Sequence, residues 1–157
     1  MMSPEQQAVD SISPDVLRDV LKFLDDDEVD AFRNYLEYRQ WPADSMVMQA
    51  GEPGDFMGFL VAGSLMVRKE SNFPGKHILM AILDPGSMVG EATVAERCAR
   101  NATVVAQEDA QLLLLKHESM ERLIVDHPDL AIKVLQRIIQ VIGRRFKVSS
   151  DRLAKLL

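Results

Sequence analysis

With 157 residues, 47% hydrophobic and 27% charged, the chain can build one globular domain around a core and is too apolar to stay disordered. Eighteen Lys and Arg stand against 24 Asp and Glu, a net charge of −6, which excludes a general affinity for nucleic acid or anionic membrane but not a local basic site. The single Cys98 rules out an internal disulfide and fits a reducing, cytoplasmic setting; MMSPEQQAVD has no signal-peptide pattern, and no apolar run is long enough to span a membrane.

Taken in chain order, residues 13–38 predict two helices. Ser13 can cap the first, Pro14 takes its first position, and Val16, Leu17, Val20, Leu21 and Leu24 recur at helical spacing. The acidic DDDE at 25–28 opens the second, which carries Val29, Phe32, Tyr35 and Leu36. From 41 to 116 the chain is broken by turn signals: WPAD, GEPGD, AGS, FPGK, DPGS and QEDA. Between them lie SMVMQ, FMGFLV, LMVRKE, HILMAIL, NATVVA and QLLLLK, short β-prone runs that indicate a sandwich, jelly roll or barrel.

From 118 the pattern turns helical again. A short helix around Met120, Leu123 and Ile124 leads to Asp126, a cap ahead of Pro128, where a long final helix begins. In that helix Leu135, Ile139, Ile142, Phe146, Ser149, Leu153 and Leu156 alternate four and three apart, the seam of a paired helix. Leu130, Val134, Ile138 and Val141 form a second face for the domain itself, so a homodimer through the C-terminal helix is expected. Three zones result: a helical segment at 1–40, a β-roll at 41–117, and C-terminal helices at 118–157.

The chemistry concentrates in VGEATVAERCARNATVVA, residues 89–106. Gly90-Glu91-Ala92 reads as a helix start, where glycine admits a ligand close to the backbone and free N–H groups attract an anion. Arg100, nine residues after Glu91, adds a permanent charge and a two-pronged donor suited to phosphate oxygens. Glu91 would repel a phosphate alone, but it makes sense as the acceptor for a ribose hydroxyl on the same ligand. The blander reading pairs Glu91 with Arg100 at the surface, a contact worth little to stability.

The stretch resembles the phosphate-binding cassette of the cyclic nucleotide-binding domain family, whose pattern is approximately F-G-E-(x)7-P-R-x-A-T-V. The resemblance extends over residues 14–150, with GEPGDFMGFLVAGSLMV similar to the family's turn and hairpin and DPGSMVGE to the approach to its cassette. It implies a mainly β fold with flanking helices: an eight-stranded jelly-roll-like β-barrel, N-terminal helices and a long C-terminal helix. It implies a regulatory sensor and no enzyme, with a 3′,5′-cyclic nucleotide as ligand (cAMP ahead of cGMP) and no cofactor or metal. Gly90 and Glu91 take the turn and ribose roles and Arg100 the phosphate role, with Val89, Ala92, Asn101, Ala102 and Met80 around the ligand. Arg97 is out of register and reads as a solvated surface charge.

Ala99 stands where the family has proline, Val89 replaces an aromatic, and Ala92-Thr93 replaces a more apolar pair. Asn101 occupies the place where cGMP-preferring members often carry threonine, so recognition of the base falls to the C-terminal helix through Arg144, Arg145, Ser149 or Ser150. No helix-turn-helix follows before Leu157, which implies no direct DNA binding by this chain and an output through a protein partner or a further domain. Two alternatives stand beside this reading: a degenerate roll serving only dimerisation or protein interaction, and a cupin-type metalloenzyme. His77, His117 and His127 lack the spacing the second would need, and HPD at 127–129 reads as a helix-opening turn.

Overall fold

The structure, a computed structural model, describes residues 8–157. MMSPEQQ, the start of the segment read above as lacking a signal peptide, lies outside the described residues. Helix α1, Pro14–Val20, starts on the fixed φ of Pro14 with Asp15 in its first turn, and the Ser13 side chain makes no capping bond. Helix α2, Asp26–Phe32, is held by a capping box: Asp25 Oδ1 accepts from the Glu28 N–H at 2.8 Å, and Glu28 Oε1 accepts from the Asp25 N–H at 3.0 Å. The acidic run is therefore the cap itself.

Tyr35 and Leu36, expected in that helix, leave it through a 3₁₀ turn at Arg33–Tyr35, and Leu36 opens strand β1, Leu36–Trp41. The cause is tertiary. β1 pairs antiparallel along its whole length with β10, Ala110–Lys116, from Leu36↔Leu115 to Trp41↔Ala110. The remaining strands are β2 Met46–Met48, β3 Pro53–Gly54, β4 Phe56–Ala62, β5 Leu65–Glu70, β6 His77–Leu83, β7 Met88–Val89, β8 Cys98–Ala99 and β9 Thr103–Ala106. All six β-prone runs are strands. The described residues hold ten strands against the expected eight, and three of them, β3, β7 and β8, are only two residues long.

They form two four-stranded antiparallel sheets, β1-β10-β4-β7 and β2-β9-β5-β6, and the small pair β3-β8. This is the jelly-roll class with flanking helices. The LLLL run of β10 shows how the layers stack. Leu113 and Leu115 join Met57, Phe59 and Val61 of β4 against the helices, while Leu112 and Leu114 join Leu60, Val104 and Leu83 between the sheets. A strand covered on both faces needs an unbroken apolar run, because successive side chains point to opposite sides. Phe32 meets Phe59 edge to face at 5.9 Å and locks α2 onto the sheet.

Helix α3, His117–Asp126, ends on the residue expected to cap the next helix; Asp126 instead accepts a 2.8 Å bond from the Tyr35 hydroxyl. His127 is the residue preceding Pro128, the first of α4, Pro128–Leu156. At ~1.5 Å per residue its 29 residues run about 44 Å. Leu130, Ala131, Val134 and Ile138 bury its first turns on the roll, close to the expected domain face. Leu135, placed on the seam by the heptad count, is half-buried against the domain's own core. The other apolar seam positions face solvent: Ile139 is 67% exposed, Phe146 73% and Leu153 59%.

Candidate functional site

Strand β7 delivers the chain to Gly90, whose φ of +72° lies in the left-handed region. A side chain there would be strained, and its Cβ would stand 2.7 Å from Arg100 Nη1. The helix expected at Gly90 is a four-residue 3₁₀ turn, Glu91–Val94. Thr93 ties it down: its Oγ1 lies 2.8 Å from the Gly90 carbonyl and 2.9 Å from the Phe56 carbonyl and donates to one of them. His117, at the start of α3, places Nδ1 3.1 Å from the Thr93 carbonyl and Nε2 3.0 Å from Glu121.

Arg100 follows β8, and its backbone is held on both sides: its N–H donates to the Glu52 carbonyl and its carbonyl accepts from Gly51, each at 2.8 Å. The β3-β8 pair, Pro53↔Ala99 and Gly54↔Cys98, aligns this approach even though Ala99 replaces proline. Arg100 is a buried residue, 8% exposed. Nη2 donates to the Phe56 carbonyl at 2.8 Å, Nη1 reaches Thr93 Oγ1 at 3.5 Å, and the group stacks over the Phe56 ring at 4.7 Å. Gly54 makes room for it, since a Cβ there would sit 2.6 Å from Nε.

Among the described residues no carboxylate lies within ion-pair distance of Arg100. Burial pushes its pKa down, and Asp55 and Cys98 push weakly back. A buried cation without a counter-ion is costly, and an incoming anion relieves that cost. The surface pair between Glu91 and Arg100 is absent. Glu91 Oε1 instead accepts from Arg145 Nη1 of α4 at 2.5 Å, and Arg145 Nη2 donates to the Met88 carbonyl, also at 2.5 Å. Glu91 Oε2 has no hydrogen-bond partner among the described residues.

These groups face a cavity of about 490 Å³ between the roll and α4. Gly90, Glu91, Ala92, Arg100, Asn101, Ala102 and Met80 all line it, as do Arg144, Arg145 and Ser149. Val89 does not, being buried between the sheets, and Ser150 is exposed outside the lining. Arg97 is exposed, as its register implies. Apolar wall comes from Val67, Leu83, Val104 and Val148. The sequence marks Thr93 only as a departure from the family pattern and does not mark Gly54 as a site residue. Gly54 carried a usable signal, because glycine beside a strand marks a close approach; Thr93 carried none. Among the described residues no group of three His, Cys, Asp or Glu is placed to hold a metal ion, and no helix is long and apolar enough to cross a membrane.

The sequence signature of the cyclic nucleotide-binding domain matches residues 38–127, from β1 to the threshold of α4. The chain belongs to that family. Glutaminase 2 of Bradyrhizobium diazoefficiens is 29% identical over 133 residues, which are 85% of this chain but 20% of that protein. The cAMP-activated global transcriptional regulator CRP of Salmonella typhimurium is 24% identical over 132 residues, 83% of this chain and 60% of the regulator. The chain thus spans a fifth of the first relative and under two thirds of the second. A solved cyclic nucleotide-binding domain from Methylobacillus flagellatus shares the fold, with a TM-score of 0.82 at 24% identity over 92% of this chain and 85% of that one. Cyclic nucleotide-binding domains are regulatory binding modules, and the match includes the segment 89–106 already described.

Proposed function

We propose that the domain reversibly binds a 3′,5′-cyclic nucleotide, cAMP ahead of cGMP, and signals through α4 rather than catalysing a reaction. One observation carries the reading: Arg100 is buried without a counter-ion at the wall of a cavity that also exposes the Gly90 turn and a carboxylate. Arg100 takes the phosphate by charge-assisted hydrogen bonds. Glu91 offers Oε2 to the ribose 2′-hydroxyl while Oε1 keeps Arg145, so ligand and helix meet on one carboxylate. Val67, Leu83 and Met80 supply apolar wall for the base, with Asn101 and Ser149 as its polar neighbours. The name of the Salmonella relative, a cAMP-activated regulator, supports cAMP as the ligand.

The exposed Ile139, Ile142, Phe146 and Leu153 support a homodimer through α4, which would leave the roll free to bind ligand and a downstream protein to receive the signal. The lone Cys98 fits a cytoplasmic setting. Calorimetric titration with cAMP, 2′-deoxy-cAMP and cGMP tests the site. Binding of cAMP that weakens without the 2′-hydroxyl, and a Glu91→Gln variant that no longer distinguishes the two adenine ligands, are expected. Absence of binding to every cyclic mononucleotide at millimolar concentration overturns the cAMP reading; the alternative is a roll that serves only dimerisation or protein interaction.

A further inference from the structure

The charge lining the cavity is out of proportion to one phosphate. In a chain with 18 cations and 24 acids, five cations (Lys69, Arg100, Arg144, Arg145 and Arg152) line this space against one acid, Glu91. A cyclic mononucleotide brings a single negative charge, which Arg100 absorbs, and Arg145 is already paired with Glu91. Lys69, Arg144 and Arg152 are left without a carboxylate partner among the described residues, although Asp151 is adjacent in sequence and bonds Lys147 instead. On α4, positions 144, 148 and 152 follow at intervals of four and all line the cavity, so Arg144 and Arg152 stand on one stripe of the helix with Val148 between them. Lys69, on β5, contributes from the opposing sheet. Like charges gathered in one concave space repel one another and concentrate a positive field there, an arrangement that favours an anionic ligand of higher charge.

We infer that the cavity accepts a nucleotide carrying two phosphates, with Lys69 and Arg152 as the subsite for the second and Arg144 beside them. A cyclic dinucleotide is the matching class. It has two phosphodiester monoanions in one ring, each adjoining a ribose hydroxyl and a purine. One half meets Arg100 and Glu91 with the same chemistry a cyclic mononucleotide would use; the other half places its phosphate between β5 and α4. At about 490 Å³ the cavity lies within the ordinary range of small-molecule sites, roughly 300–1,000 Å³. This inference rests on Arg100 being the anchor for the first phosphate.

The test is calorimetric titration of the full chain with cAMP, cyclic di-AMP and cyclic di-GMP, repeated on Arg100→Ala and on the double variant Lys69→Gln/Arg152→Gln. Both residues of the double variant are exposed, so the fold is retained. The expected result is a cyclic dinucleotide bound at least tenfold tighter than cAMP, with a steeper loss as salt rises. The double variant should bring the dinucleotide down to the cAMP level while cAMP itself changes less than threefold. Binding of cAMP through Arg100 with no dinucleotide advantage overturns the second subsite alone. Equal weakening of both ligands in the double variant also overturns it. If none of the three nucleotides binds the wild-type chain, the phosphate-anchor reading falls and takes this one with it.

Discussion

Replacing Arg100 by Ala separates what the residue does for the fold from what it does for a ligand. In the free protein the variant loses the bond to the Phe56 carbonyl, worth about 1.5–3 kcal/mol for a charged donor, and the stacking on Phe56, worth about 0.5–2 kcal/mol. Against this, it removes the charge of a residue that is only 8% exposed and has no counter-ion among the described residues, a penalty of several kcal/mol. The two nearly cancel, so the melting temperature of the free variant should stay within a few degrees of wild type. With ligand the balance changes. Truncating one partner of a buried charged pair costs about 2–5 kcal/mol, which weakens cAMP about thirtyfold to several thousandfold. Thermal melts with and without nucleotide read both effects together. Wild type at a hundred times its dissociation constant gains about 2.7 kcal/mol, or roughly 5–10 °C for a domain of this size, and at that ligand concentration the variant gains about 0.9 kcal/mol at most. An Arg100→Ala protein that melts normally and still binds cAMP within threefold of wild type refutes the assignment.

Arg145→Ala frees Glu91 from α4; the pair is partly exposed, so about 1–2 kcal/mol and a five- to thirtyfold loss of cAMP affinity are expected. In the wild type, ligand should protect residues 140–150 from hydrogen exchange and the same variant should lose that protection; protection that persists without Arg145 would show that the helix is held by other contacts. Ile142→Glu/Phe146→Glu places charges on the exposed seam and should yield a folded monomer by light scattering; a wild-type chain already monomeric at tens of micromolar rules out the paired helix. Glu28 is held below its ordinary carboxyl value of 4.5, first by the Asp25 N–H of the capping box and then by Lys133 of α4. A depressed carboxyl adds stability above its unfolded value and loses it as pH falls through the folded one. Glu28→Gln should therefore be less stable at neutral pH and show a flatter decline below about pH 4.5 in denaturant titrations. An unchanged acid limb would show that the capping box contributes nothing.

What could be read in the chain was what lies contiguously in it. The segment 89–106 is one unbroken stretch: its glycine turn is specified by local backbone demands, and Gly90 and Arg100 line the same cavity. The six β runs are strands for the same reason, since short apolar runs and the turn residues that bound them act over a few positions. Leu36 went the other way because β1 is made by its ladder with β10, some seventy residues on, and no local preference in LEYRQW competes with six paired positions. The capping Asp25 was visible as an acidic run, whereas Asp126 was misread because the phenol that binds it belongs to Tyr35. The site's second half is tertiary throughout. Glu91 and Arg145 are 54 residues apart, and Lys69 and Arg152 line one cavity only because α4 packs by Leu130, Val134 and Ile138 on the roll and then runs on across its mouth. A side chain's own neighbours fix the turn it sits in. The partner of a charge is fixed by where a helix comes to rest, and that is set by core packing distributed over the whole chain.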